Sequence, residues 1–250
     1  MPNLNWKDHQ IFYREQGKGP LLLILPGNTA SSICCQGEID YFSDRYHTAS
    51  LDFLGTGNSD RVTIWAHDWW ADGASQAKAL VDHLGYQECI VMGTSGGGAA
   101  ALLMAIHFPE MVRAVIADSC VEQISKAFTQ KRLVADRNRR TKGQVQFWEY
   151  ANGADWEQVV EADTAMLLHF VDQGGDWFKG RLHEIQCPVL LTASKQDDAL
   201  PQVVEQISRM SEQIAGCQVF LNNNGRHPLM WSSPQDFRPI SDYFLKTVRG

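Results

Sequence analysis

No stretch of this 250-residue sequence stays apolar over the roughly 18 residues that a membrane-spanning helix requires. Nor does Met1 to Asp8 show a basic segment followed by an apolar core, so neither a membrane span nor a secretory leader is expected. Basic residues are in short supply. With 22 Lys and Arg against 29 Asp and Glu the net charge is −7, which speaks against nucleic acid or anionic membrane as a main partner. The six cysteines, at 34, 35, 89, 120, 187 and 217, contain no C-x-x-C pair and no metal-ligand spacing with histidine. No cofactor or metal is expected, and the thiols read as reduced and buried in a cytoplasmic protein. The adjacent pair Cys34 and Cys35, close to the candidate site, is set apart as open to access. Repeats, linkers and low-complexity segments are also missing. What remains is a soluble globular composition, 44% apolar and 20% charged, of a size ordinary for one α/β domain.

The most informative stretch is 88 to 107. An apolar run, Cys89 to Met92, stops at Gly93-Thr94-Ser95-Gly96-Gly97-Gly98 and gives way to Ala-rich sequence through Ile106. That predicts strand, sharp turn and buried helix. The turn fits G-x-S-x-G, in which serine takes a strained conformation at the tip and small neighbours keep strand and helix apart. A glycine-rich turn of this kind can also cradle phosphate, but the spacings G-x-G-x-x-G and G-x-x-x-x-G-K-[ST] are not found here.

Around this stretch the chain alternates strand and helix. Residues 3 to 16 predict a hairpin, and the continuous run Leu21 to Leu25 predicts a strand buried on both faces, as in a mostly parallel sheet. It ends at Pro26-Gly27-Asn28, a loop leaving the edge of a central strand, where ligands bind in open α/β sheets. A short helix near 36 to 43 precedes a strand from Tyr46 to Phe53 and the turn Asp52 to Ser59, in which Asp52 and Ser59 can bond to the loop's own backbone. Trp70, Ala74, Ala77, Val81 and Leu84 then lie on one helix face. After the strand Val112 to Ala117, residues 119 to 185 break the rhythm with helical patterning, which divides the chain into a core of 1–118 and 186–250 and an inserted helical cap of 119–185. The cap's basic cluster, Lys131, Arg132, Arg137, Arg139, Arg140 and Lys142, reads as a solvated face, the sharper alternative being a dock for an acidic substrate or carrier. Its aromatic residues, Trp148, Trp156, Trp177, Phe147, Phe170 and Phe178, read as cap core more than pocket lining, two roles that overlap in a cap. Strands resume at Cys187 to Ala193 and Cys217 to Leu221, with a helix opened by Pro201 between them and another from about Pro234 to Val248 at the end.

Ser95, Asp197 and His227 each follow the C-terminal end of a predicted strand, so in a parallel sheet they converge on one edge despite separations of 102 and 30 positions. Serine needs a base to take its proton during attack, imidazole suits that role, and a carboxylate fixes the imidazole tautomer. Of the eight histidines only His227 follows the last strand in a Gly-containing loop. Asp198 and Asp118 compete with Asp197 as the acid. Backbone N–H groups of Asn28 and Gly96 are the candidate oxyanion donors.

Together these pieces resemble the α/β-hydrolase superfamily over essentially the whole chain. Leu25 to Asn28 is similar to its oxyanion loop, with Pro26 where histidine is common, Asp52 to Ser59 to its D-x-x-G-x-G-x-S segment, and Gly93 to Gly97 to its nucleophile elbow. Asp197 and His227 match its acid and base. The resemblance implies an α/β-hydrolase fold, a mostly parallel sheet with helices on both faces and a small helical cap, and a cofactor-free serine hydrolase of small carboxylic esters. The contexts Leu-Pro-Gly and Gly-Arg-His-Pro-Leu look most like small esterases of the valacyclovir hydrolase (biphenyl hydrolase-like) type. That type carries aspartate directly after the nucleophile to meet a substrate ammonium, and Gly96 stands here instead. The haloalkane dehalogenase branch shares Gly-Asn after the first strand but attacks with aspartate. Lactone or carbon–carbon bond hydrolysis and a ligand-sensing role on the same fold are the open alternatives.

Overall fold

A computed structural model describes residues 2–248. Eight strands form one sheet in the order β1-β2-β4-β3-β5-β6-β7-β8: β1 Asn3–Trp6, β2 His9–Gln16, β3 Leu21–Leu25, β4 His47–Leu51, β5 Cys89–Thr94, β6 Val112–Asp118, β7 Val189–Ser194 and β8 Gln218–Asn222. The N-terminal hairpin β1–β2 turns at Lys7 and Asp8 as expected and joins β4 antiparallel. Every other neighbouring pair is parallel.

The continuous apolar runs are explained by two cores, one on each face. Leu21, Leu23 and Leu25 of β3 enter one, and Leu22 and Ile24 the other. β5 divides the same way, Val91 against Met92. Helix α1 (Gln36–Phe42) and the closing helix Pro234–Thr247 cover the second face, while α2 (Trp69–His83) and α3 (Gly96–His107) cover the first. In α3 every residue but His107 is buried, which accounts for a sequence of Gly, Ala, Leu, Met and Ile with no polar stripe. Between β6 and β7 the chain makes a helical excursion: a helical stretch over 126–138 containing a π-turn segment, Thr129–Val134, then helices Lys142–Asn152 and Trp156–Asp172. Trp148 and Trp156 stack there at 5.2 Å with Val160 in a small core of their own.

Boundaries shift by a residue or two from the sequence reading. The helix after Pro201 begins at Val203, because Gln202 sits in the left-handed region and closes a turn first. A one-turn helix, Leu229–Ser232, follows the loop that carries His227, in a stretch the sequence reading left unassigned. Of the adjacent thiols Cys35 is buried and Cys34 is part-exposed, and burial pushes the Cys34 pKa up to about 11. Among the described residues no helix is long and apolar enough to cross a membrane.

Candidate active site

Strand order places the site. β3 connects towards β4 on one side while β5 leads to β6, β7 and β8 on the other, so the loops leaving β3 and β5 flank a crevice at the point where winding reverses. Leu25 pairs with Gly93 in register, which sets Gly27 and Asn28 beside Ser95. The elbow is as tight as its sequence requires. A Cβ on Gly93 would fall 2.1 Å from Gly97 O, and one on Gly97 would fall 2.2 Å from Leu25 O. Ser95 itself has φ 54° and ψ −124°, a conformation unfavourable for a side-chain-bearing residue, locked by its own N–H donating to Asp118 O at 2.8 Å.

His227 Nε2 lies 3.0 Å from Ser95 Oγ, and its Nδ1 lies 2.8 Å from Asp197 Oδ2. An ionised carboxylate only accepts, so Nδ1 carries the proton and Nε2 is left to accept from the serine hydroxyl. Asp197 is fully buried, and its other oxygen accepts from the N–H groups of Ala199 and Leu200 at 3.0 and 2.9 Å. The loop bearing His227 is held to the end of β7 by Ser194 Oγ, which donates to Gly225 O.

The two rival carboxylates are occupied elsewhere. Asp198 pairs with Arg226 at the surface. Asp118 is buried behind the elbow, accepting from the hydroxyls of Thr94 and Thr192 and from Met230 N–H. Burial pushes its pKa up to about 6, opposed by those donors and by His227.

Gly27, Asn28, Thr29, Ser95, Gly96 and His227 border a cavity of about 370 Å³ whose remaining walls are mainly apolar, with Val121, Ile124, Leu133, Phe147, Leu167, Trp177 and Trp231 prominent. Phe147 and Trp177 therefore serve the cavity rather than only an internal core. Arg137 departs further from expectation. Lys131, Arg132, Arg139, Arg140 and Lys142 are exposed, with Arg139 and Arg140 paired to Asp136, Glu157 and Glu161. Arg137 instead turns into the cavity wall and pairs with fully buried Asp163 at 2.5 Å. Sequence reasoning missed Asp163, although its signal was present: it interrupts the otherwise apolar helical stripe Val159, Met166, Leu167 and Phe170. Trp70, read only as helix packing, also lines the cavity.

Residues 20–133 match the family model of the alpha/beta hydrolase fold. That segment is a little under half of the chain, and the sheet and its helices have the α/β-hydrolase fold. Among similar proteins, human epoxide hydrolase 4 is 33% identical over 109 residues, which cover 43% of this chain and 30% of that protein. A Pseudomonas savastanoi pv. phaseolicola protein named as a carbamate hydrolase, RutD, is 25% identical over 94% of this chain and 97% of its own length. In three dimensions the chain superposes on the enol-lactonase from Burkholderia xenovorans LB400 with a TM-score of 0.78, covering 98% of this chain and 100% of the other at 15% identity.

Proposed function

We propose that this α/β hydrolase is a cytoplasmic serine esterase that cleaves a small carboxylic ester through an acyl-enzyme. The observation that carries the proposal is the line of hydrogen bonds from Ser95 Oγ through His227 to buried Asp197, at 3.0 and 2.8 Å, opening on an apolar cavity. Ser95 attacks the ester carbonyl carbon as His227 Nε2 takes its proton. The carbonyl oxygen becomes an oxyanion facing the backbone N–H groups of Asn28 and Gly96, the latter at the start of α3 where an N–H has no partner within the helix. Collapse expels the alcohol, to which His227 returns the proton, and water then repeats the sequence on the acyl-serine to release the acid.

The nucleophile narrows the chemistry. A serine that attacked an alkyl carbon, as in opening an epoxide or displacing halide, would be left as an ether that water cannot readily cleave, whereas an acyl-serine is hydrolysed at its carbonyl. Carbonyl substrates therefore fit this site. Six free cysteines with no disulfide among the described residues suit a reducing compartment. The test is a time course with p-nitrophenyl acetate and butyrate. Sustained turnover by the native chain, lost in Ser95→Ala and His227→Ala, is expected; absence of turnover on both esters overturns the esterase reading.

A further inference from the structure

The loop that carries Asn28 has one short bond of its own, Ala30 N–H donating to Gly27 O at 3.2 Å, and is otherwise tied from outside. Thr29 has φ 57°, a left-handed value that a β-branched residue adopts only under constraint. The helical excursion adds constraint at three points. Asn152 Nδ2 donates to Thr29 O at 2.8 Å, Ser31 Oγ donates to Ala151 O at 2.5 Å, and Asn28 Nδ2 donates to Asp163 Oδ1 at 2.5 Å. From the other side Trp70 Nε1 donates to Asn28 Oδ1 at 3.2 Å. The Asn28 amide thus bridges α2 and the excursion directly over Gly96, where a Cβ would lie 1.9 Å from Asn28 Oδ1. The same contact explains why residue 96 has no side chain.

Asp163 is an unusual residue to bury in an apolar helix face. Taking an ionised carboxylate out of water is costly, and a hydrophobic side chain would pack there without that penalty. What its two oxygens touch is Asn28 on one side and Arg137 on the other, with Arg137 steadied by donating to Thr164 Oγ1 at 2.8 Å.

We propose that Asp163 and Asn152 are positioning residues: the excursion grips the β3 loop in its strained conformation and thereby aims the Asn28 N–H at the oxyanion that forms beside Ser95. Seating of the excursion and assembly of the oxyanion site are then one event. This rests on the acyl-enzyme reading above.

Three variants test it: Asp163→Asn, Asn152→Ala and Trp70→Phe, the last deleting one tie to Asn28 while keeping a ring in the core. Each is first labelled at Ser95 with a fluorophosphonate, then assayed with p-nitrophenyl butyrate, and finally titrated with a trifluoromethyl ketone and its methyl ketone analogue. With the fluorinated ketone Ser95 Oγ bonds to the carbonyl carbon, the hydroxyl proton passes to His227 and the carbonyl oxygen stays as an anion. The methyl analogue binds largely without that addition. Removing one oxyanion donor typically costs about 10²–10³ in kcat, so a misaimed one should cost about 10- to 100-fold in the first two variants, less in Trp70→Phe, with KM changed by less than about threefold. Affinity for the fluorinated ketone should fall by the same factor as kcat while the methyl ketone binds as before. Native kcat in every folded variant, or equal weakening of both ketones, overturns the proposal, since a purely structural tie would not separate them. Failure of the native enzyme to label at Ser95 would instead sink the acyl-enzyme reading. Should Asp163→Asn not fold, the other two variants carry the same comparison.

Discussion

Asp197 Oδ2 accepts from His227 Nδ1 at 2.8 Å, and its second oxygen is taken by two backbone N–H groups of the turn that follows. The carboxylate is thus fixed by its own loop before it meets the imidazole. Asp197→Asn should keep the fold and lower kcat by about 10³–10⁴, because an amide facing Nδ1 can favour the wrong tautomer. Asp198→Asn, which only breaks a surface pair with Arg226, should leave kcat within about twofold. Steady-state rates with p-nitrophenyl butyrate separate the two; equal losses would mean that the acid has been misassigned.

The sheet, its order of elements and the meeting of Ser95 with Asp197 and His227 follow from local signals that each strand end carries, so they were legible from residue type and position. The apolar run of β3 announces burial on both faces, and the G-x-S-x-G spacing announces the crossing of two backbones. The excursion was legible only as helices. Whether Arg137 faces water or a carboxylate depends on Asp163, 26 positions away on another helix. Likewise Asn28 was identified by its loop, while its amide partners Trp70 and Asp163 lie on two helices whose approach angle no periodicity encodes.

Asp118 supplies a pH dependence of stability. Its folded pKa, raised to about 6 by burial, exceeds the ordinary carboxylate value, so the folded chain holds this proton where the unfolded chain has lost it. Its contribution therefore worsens as pH climbs from about 4 to 6 and is constant above, by about 3 kcal/mol in all. Asp118→Asn cannot titrate. Urea melts at several pH values should show native stability falling relative to the variant across that window and running parallel to it above; a difference independent of pH contradicts the raised pKa.

Gly97 is the residue of the elbow that abuts the backbone leaving β3. A Cβ there would sit 2.2 Å from Leu25 O and 2.5 Å from Pro26 O, backbone atoms at the end of β3 and the start of the loop that carries Asn28. Neither can yield without moving β3. Gly97→Ala should destabilise the chain by at least about 3 kcal/mol, where an alanine in an open helix would stabilise it. The urea midpoint measures this, and Gly143→Ala, whose Cβ meets nothing within 4 Å, is the matched control.

Acyl-chain selection should reside where the excursion meets the one-turn helix after His227. Phe147 and Trp231 face each other there at 6.0 Å between ring centroids, and both line the cavity. Trp231 is only half-buried, so its removal enlarges the cavity while taking one partly buried ring from the edge of the second core. A methylene in an apolar pocket is worth about 1–3 kcal/mol of transition-state binding, and a longer chain gains that only if space exists for it. Trp231→Ala should therefore raise kcat/KM for p-nitrophenyl octanoate relative to butyrate by about tenfold or more, with the butyrate value little changed. Phe147→Ala should act in the same direction from the opposite wall. If instead both variants lose activity on every chain length alike, the aromatic pair positions the catalytic loop rather than bounding the substrate, and the acyl group must lie along Leu133 and Leu167.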